Sequence, residues 1–133
     1  MPDVLKFSIP GKLEYVQMVR LAIASIAGMA GFDVEAVEDV KVAVAEACKI
    51  VSCHGYKGFS NIYEIICEIG EVSLAITVSD ARSGHDIAKI IKPCISCPDE
   101  GDMALVVMES LMDDVEVLAG SEGNERIRMV KNK

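Results

Sequence analysis

The sequence predicts an α+β fold, a two-layer α/β sandwich in which three helices cover one face of a mixed, mostly antiparallel sheet. Strand-like and helix-like hydrophobic spacings follow each other in the order β-α-α-β-β-α-β-β. Strands that are neighbours in sequence usually pair with each other, which favours antiparallel pairing. The chain has 133 residues, of which 51% are hydrophobic, so we expect one domain over 1–133 with its own core.

The first three elements follow from the spacing of the apolar residues. VLKFSIP at 4–10 alternates apolar and polar residues and ends at a Pro-Gly turn, which indicates a strand. A helix is predicted over 13–30, and a second one starts at an Asp33 N-cap and runs to the region of Cys53. The predicted inward stripes are Val16, Val19, Ile23, Ile26 and Ala27 in the first helix, and Val37, Val40, Val44, Ala47 and Val51 in the second.

The second half of the chain returns to strand-like patterns. NIYEIICEIG and EVSLAITVSD at 61–80 predict a hairpin that turns at Gly70. Its predicted inward residues include Ile62, Leu74, Ile76 and Val78. A loop-like stretch at 81–101 precedes a third helix over 103–114 and a closing strand pair over 115–131. Three methionines share one face of this helix, either as core or as an adaptable partner surface: Met103, Met108 and Met112.

Charge and composition exclude several classes of function. The net charge is −8, with 21 acidic and 13 basic residues, whereas nucleic-acid binding requires a basic face. The N-terminal residues lack a basic flank followed by an apolar run, and no apolar stretch reaches the roughly 18 residues that span a bilayer. We therefore expect a cytoplasmic protein that binds other proteins or a small ligand, with neither nucleic acid nor membrane as a partner.

Four strings carry a resemblance to a known family. They are IPGKLEYVQMVR (9–20), VEDVKVAVAEAC (37–48), VSDARSGHD (78–86) and EGDMALVVMESLMDDVEV (100–117). In order and spacing the chain resembles bacterial anti-sigma factor serine kinases of the RsbW type, within the GHKL group of ATP-binding domains with the Bergerat fold. The resemblance implies a homodimer whose partners are a sigma factor and a STAS-type antagonist.

The second helix matches the family's metal-binding motif only in part. The family motif has a Glu and, four residues later, an Asn whose side chain helps to hold the Mg²⁺ on the ATP phosphates. Glu46 matches the Glu and is the candidate catalytic base, with a surface ion pair as the alternative explanation. The Asn position is Ile50, and a hydrocarbon cannot ligate Mg²⁺. No metal site is expected here.

The resemblance places the nucleotide at two glycine motifs, and both are altered. In the first motif Asp80 and Gly84 match the family, but Arg82 replaces a glycine. Asp80 either accepts the hydrogen bond of the adenine amino group or caps the following turn. In the second motif Gly101 and Ala104 remain as candidate nucleotide contacts, and the residue between them that changes the motif most is Asp102.

Residues expected near the phosphates and near the adenine also differ from the family pattern. Asp102 brings a carboxylate to the place where the phosphate oxygens belong, and like charges repel. On the closing hairpin the family has a Thr that supports adenine recognition, whereas this chain has Asn124 and Glu125. ATP binding is therefore expected to be weak or absent, and no cofactor is certain.

Arg20 is the candidate partner-binding residue. It lies outside the apolar stripe of the first helix, and in the resembling kinases an Arg at the matching place contacts the sigma factor and the antagonist. The alternative is an ordinary solvated Arg on a helix surface.

Three functions remain open at this point. The first is an anti-sigma regulator that acts mainly by protein binding, with an impaired site for ATP and Mg²⁺. The second is an active ATP-dependent serine kinase that phosphorylates an anti-sigma-factor antagonist. The third is a thiol or metal protein that uses Cys94 and Cys97 of PCISCP. Against the third, five scattered Cys in a cytoplasmic chain are expected to be reduced, buried thiols.

Overall fold

The computed structural model describes residues 3–10, 15–52, 62–80, 106–118 and 126–133. Along the described chain the order is β-α-α-β-β-α-β-β, as predicted. The strands are β1 Asp3–Pro10, β2 Ile62–Ile69, β3 Ser73–Asp80, β4 Asp114–Leu118 and β5 Arg126–Asn132. The helices are α1 Val16–Met29, α2 Val34–Ser52 and a short α3 over 106–111.

The five strands form one sheet in the order β1-β2-β3-β5-β4. Each of the four strand pairs is antiparallel. The hairpin between β2 and β3 turns at Gly70, whose N–H donates to the Ser73 carbonyl at 2.9 Å. The last described strand, β5, lies between β3 and β4. The fold class is therefore the predicted α+β sandwich, with a described sheet that is wholly antiparallel.

The two faces of the sheet differ in hydrophobicity because successive strand residues point to opposite sides. Ile65 pairs with Val78, which pairs with Ile127, and this row belongs to the buried core. The next residues along the same strands form a polar row on the other face: Glu64, Ser79 and Arg126. Leu74, Ile76 and Val78 are buried, as predicted, whereas the side chain of Ile62 lies outside the described part of the structure and its inward position stays a prediction.

The first two helices bury the stripes that the sequence predicts and are joined by a defined turn. The five predicted residues of α1 are all buried. After α1, Gly31 has a φ of 97°, and the N–H groups of Gly31 and Phe32 donate to the carbonyls of Gly28 and Ala27. This is the Schellman arrangement, which favours glycine. The predicted cap of α2 is confirmed, because the Asp33 Oδ1 accepts from the Ala36 N–H at 2.8 Å.

The third helix ends earlier than the sequence predicts. The helical residues stop at 111, because the Asp113 N–H already donates to the Val130 carbonyl at 2.9 Å and β4 begins at the next residue. Met108 and Met112 are buried in the core. Of the two explanations for the methionines, core packing is correct for these two, whereas Met103 lies outside the described residues.

Two cysteines are buried free thiols, as predicted. Burial raises the pKa of the Cys48 thiol from its ordinary 9.0 to about 12, and that of Cys67 to about 11. The other three cysteines, Cys53, Cys94 and Cys97, lie outside the described residues. None of the described helices has the length and hydrophobicity needed to cross a membrane.

Candidate functional site

Helix α2 carries the candidate base on the border between core and surface. The helix is continuous over Val34–Ser52, so residue 50 lies one turn beyond Glu46, about 6 Å further along the axis. Glu46 is half-buried, and its neighbours Ala43 and Ala47 are fully buried. Positions 46 and 50 therefore lie on one side of α2, as the sequence predicts.

The central strand carries the second predicted residue. Asp80 is the last residue of β3, and it pairs with Tyr63 of β2 at that end of the sheet. Helix α2 packs against β3, so the fold brings together the two elements that hold Glu46 and Asp80. The remaining predicted nucleotide contacts, Gly84, Gly101 and Ala104, lie outside the described residues.

The two positions of α2 differ in the chemistry that they offer. Glu46 carries carboxylate oxygens, whereas Ile50 is a hydrocarbon without a lone pair. Mg²⁺ requires oxygen ligands in nearly ideal octahedral geometry. Over the described ranges, no three His, Cys, Asp or Glu side chains converge in a way that could hold a metal ion.

Arg20 is less solvated than the sequence suggests. It is half-buried, because it lies on the flank of the α1 stripe between the turns of Val16 and Ile23. Its Nε is buried and has no hydrogen-bond partner in the described part of the chain. The alternative of an ordinary solvated arginine is therefore wrong for this atom, although part of the side chain reaches the surface. A buried donor without a partner is energetically unfavourable.

Lys131 is a residue that the sequence analysis missed. Its Nζ donates to the Leu111 carbonyl at 2.6 Å, where α3 ends, and lies 3.5 Å from the Asp39 Oδ2 of α2. Asp39 precedes Glu46 by two helical turns on the same side of α2. The ammonium group thus links β5 to both α2 and α3.

A pattern in the sequence could have revealed Lys131. In β5 the buried residues Ile127 and Met129 alternate with the arginines Arg126 and Arg128. Lys131 continues the inward series at 127 and 129, and it is only half-exposed. A lysine at an inward strand position requires a polar partner below the sheet.

Comparison with known proteins decides the family. The model of the histidine kinase-like ATPase domain, HATPase_c_2, matches residues 9–131. The chain belongs to this family. The serine-protein kinase RsbW of Bacillus licheniformis is 35% identical over 125 residues, which cover 86% of this chain and 78% of that protein.

Two further relatives give the same result. The serine-protein kinases RsbW of Bacillus cereus and Bacillus thuringiensis are each 32% identical over 125 residues, covering 87% of this chain and 78% of their own length. The resemblance that the four strings carry is therefore confirmed. Cys94 and Cys97 lie outside the described residues, so the thiol or metal function stays a prediction.

Proposed function

We propose that this chain is an anti-sigma regulatory factor of the RsbW type that acts mainly by binding proteins. In this proposal it is one domain over 1–133, cytoplasmic and homodimeric, and its site for ATP and Mg²⁺ is impaired. Its partners are a sigma factor, a STAS-type antagonist or both. The observation that carries the proposal is the unbroken α2 helix, which puts Ile50 one turn after Glu46.

The argument for an impaired site is chemical. A nucleotide-bound Mg²⁺ needs a protein oxygen near position 50, since the family supplies an Asn side chain there. Ile50 supplies none, because its side chain is a hydrocarbon. The altered residues Arg82 and Asp102 of the glycine motifs weaken the same site further.

The argument for protein binding starts from Arg20. Its buried Nε lacks a hydrogen-bond partner among the described residues, while the side chain remains partly accessible. A carboxylate or carbonyl of a bound protein would remove this penalty, and charge-assisted hydrogen bonds of this kind are strong. Partner binding at α1 therefore uses a donor that the described residues leave unsatisfied.

The nucleotide part of the proposal is tested by titration calorimetry with Mg-ATP. We expect no heat of binding even at nucleotide concentrations of about 1 mM, which corresponds to a binding free energy weaker than about −4 kcal/mol. Micromolar binding that disappears in Asp80→Asn would overturn this part, because it would show an intact adenine site. The Ser79→Ala variant is the matched control on the same strand.

The partner part is tested by capture of the sigma factor and the antagonist from the same organism. We expect Arg20→Ala to weaken capture at least tenfold, which is about 1.4 kcal/mol. Arg126→Ala removes an exposed arginine from β5 and serves as the control with unchanged capture. Equal capture by both variants would place the partner surface elsewhere.

A second candidate is an active ATP-dependent serine kinase. It is favoured by the retained Glu46 and by the relatives at 32–35% identity, which are named serine-protein kinases. In that function Glu46 would accept the proton of the attacking serine hydroxyl. Transfer of labelled phosphate from ATP to the antagonist, lost in Glu46→Gln, would establish this function in place of the first.

A further inference from the structure

Strand β4 forms one edge of the described sheet. It pairs with β5 alone, and β1 lies at the opposite edge. Edge strands commonly carry a lysine or a proline, which discourages pairing with another chain. β1 has both, Lys6 and Pro10, whereas β4 over Asp114–Leu118 has neither. By this criterion the β4 edge is the less protected of the two.

The hydrogen bonds of β5 determine which backbone groups of β4 point to the open edge. In an antiparallel sheet the N–H and C=O of one residue point to the same side, and successive residues alternate. The Val130 carbonyl accepts from the Asp113 N–H, and the Lys133 N–H donates to the Val72 carbonyl next to β3. Odd-numbered residues of β5 therefore bond to β3, and the even-numbered residues 126, 128 and 130 bond to β4.

The register then leaves two valines of β4 with outward backbone groups. The even-numbered residues of β5 face Leu118, Glu116 and Asp114, so these three residues of β4 form the ladder. The N–H and C=O groups of Val115 and Val117 point to the other side, and they have no hydrogen-bond partner in the described chain. Two donors and two acceptors are therefore available to a further strand.

The side chains of β4 alternate between an apolar side and an acidic side of the sheet. Val115 and Val117 lie on the core side, where Val117 is still 40% exposed. Asp114 and Glu116 point to the opposite face and are exposed. In an added strand, the residues bonded to the valines would share the apolar side, and the residues between them would lie beside the two acids.

Charge indicates what kind of segment fits this edge. On the face of Asp114 and Glu116, the neighbouring strand β5 carries Arg126 and Arg128. The sign of the charge therefore alternates from β5 to β4, and a basic residue is favoured in the next strand, because opposite charges across a strand pair stabilise it. Over 106–118 the chain has no basic residue and four acidic ones: Glu109, Asp113, Asp114 and Glu116.

A second copy of β4 does not satisfy this condition. If Val115 of one copy bonded to Val117 of another, the two Glu116 side chains would lie directly opposite each other. Like charges at such positions destabilise a strand pair. The acidic residues thus oppose pairing of β4 with itself and favour a segment of opposite charge.

We propose that the β4 edge binds an extended segment of a partner protein in which basic and apolar residues alternate. The segment adds an antiparallel strand, with its apolar residues bonded to Val115 and Val117 and its basic residues beside Asp114 and Glu116. In this mode of recognition the main-chain hydrogen bonds give affinity and alternate side chains give specificity. The surface is separate from Arg20 on α1, and the inference does not depend on the proposed function.

The length of β4 sets the expected strength of binding. A strand of five residues is about 17 Å long, so an added strand buries less than the ~1,200 Å² of a stable interface. The probe is a short peptide with blocked ends that alternates Arg and Val, and the comparison peptide has Glu in place of Arg. We expect the Arg–Val peptide to bind with a dissociation constant of about 0.1–1 mM, and the Glu–Val peptide not to bind.

A charge reversal at the edge tests the proposal in an NMR titration with the Arg–Val peptide. Asp114→Lys should raise the dissociation constant about threefold or more, because it puts like charges side by side. The matched control is Glu68→Lys on β2, which changes the net charge equally and lies in the same row of the same face. The control should bind the peptide like the wild type. Equal weakening by both variants would show that the overall charge attracts the peptide, and would overturn the proposal.

Amide hydrogen exchange in the unmodified protein, measured residue by residue with NMR, locates the added strand. In the free protein the Val115 and Val117 amides should exchange faster than the Glu116 amide, which bonds to β5. The Arg–Val peptide should slow the exchange of both valine amides. This measurement needs no variant, so it is independent of any effect of Asp114→Lys on folding.

Four other results of the exchange experiment would overturn the proposal. Binding of the peptide without slower exchange at Val115 and Val117 would mean that no strand is added to β4. Slower exchange along β1 instead would place the site at the other edge. Valine amides that are slow in the free protein at every concentration would show that the chain itself covers the edge. If they are slow only at high protein concentration, a second copy covers it.

Discussion

Cys48 and Cys67 are two thiols that the core holds away from water. Cys48 lies on α2 and Cys67 on β2, and both side chains belong to the central cluster of apolar residues. A thiolate at either place would be a charge in an apolar interior, which is why burial raises both pKa values. These cysteines therefore act as small hydrophobic residues, without the reactivity of an exposed thiolate.

These thiols make the fold less stable at alkaline pH. Below pH 9 both states keep the protons; above it the unfolded chain ionises its thiols while the folded chain does not until about pH 12 at Cys48 and about pH 11 at Cys67. Each thiol should lower the free energy of unfolding by about 1.4 kcal/mol per pH unit in that window. Urea titrations at pH 8 to 10.5 measure the slope, and Cys48→Ala should reduce it. An identical slope in this variant would contradict the assignment.

The N-cap of α2 is another contribution of a single residue. Asp33→Ala removes the acceptor of the Ala36 N–H, and we expect a loss of about 1 kcal/mol in the free energy of unfolding. Asp33→Asn keeps a capping oxygen and should retain most of the stability. Urea unfolding at neutral pH measures both, and equal losses would mean that charge rather than capping is responsible.

At the scale of elements, the ends of α3 and β5 are held by one ammonium group. Lys131 links the last carbonyl of α3 to Asp39 on α2, and the Asn132 N–H donates to the Asp113 Oδ2 at 2.6 Å. These bonds fix how the third helix meets the sheet, so the position of α3 depends on the last strand.

Removing this link should loosen α3 selectively. Lys131→Met keeps the apolar stem and leaves the Leu111 carbonyl and Asp39 without this donor, so we expect a loss of about 1–3 kcal/mol. The control is Lys41→Met, which removes an exposed i,i+3 pair with Glu38 worth at most about 0.5 kcal/mol. Hydrogen exchange should accelerate over 108–113 in the first variant alone. Equal effects of the two variants would show that the link is marginal.

The elements could be predicted where the controlling information is local. Apolar spacing predicts the buried stripe of α1, and the same helical period predicts that Glu46 and position 50 lie on one side of α2. The end of α3 and the contact between Lys131 and Asp39 could not be predicted in this way. The end of α3 depends on the bond between the Asp113 N–H and the Val130 carbonyl, and the contact of Lys131 with Asp39 spans 92 residues. Both exist only because β5 lies beside β3 and β4 in the sheet.

At the scale of the whole molecule, the two faces of the sheet differ in burial over the described residues. Ile65 and Ile66 are consecutive residues of β2 that point to opposite faces, and Ile65 is fully buried whereas Ile66 is partly exposed. Substitutions at these two neighbouring residues therefore allow the energetic effect of a core position to be compared with that of a position on the opposite face.

We expect the two alanine substitutions to differ clearly. Ile65→Ala should cost about 2–5 kcal/mol of unfolding free energy, as expected for a cavity in a packed core, and Ile66→Ala markedly less. Both variants lose the same atoms and a similar strand propensity. The difference between their unfolding free energies therefore reports the effect of burial. Chemical denaturation, fitted with one m-value for both variants, measures the two losses of unfolding free energy. Equal losses would show that the face of Ile66 is covered in solution.

The place of β5 within the sheet has a consequence for synthesis on the ribosome. β4 pairs with β5 alone in the described sheet, and β5 also covers the edge of β3 that faces away from β2. During translation β4 leaves the ribosome before β5 and cannot pair until β5 follows. Until then the edge of β3 that β5 will cover is unpaired, and an unpaired strand edge can pair with another chain. We therefore expect the nascent chain to be most prone to aggregation in the interval before its residues 126–132 leave the exit tunnel.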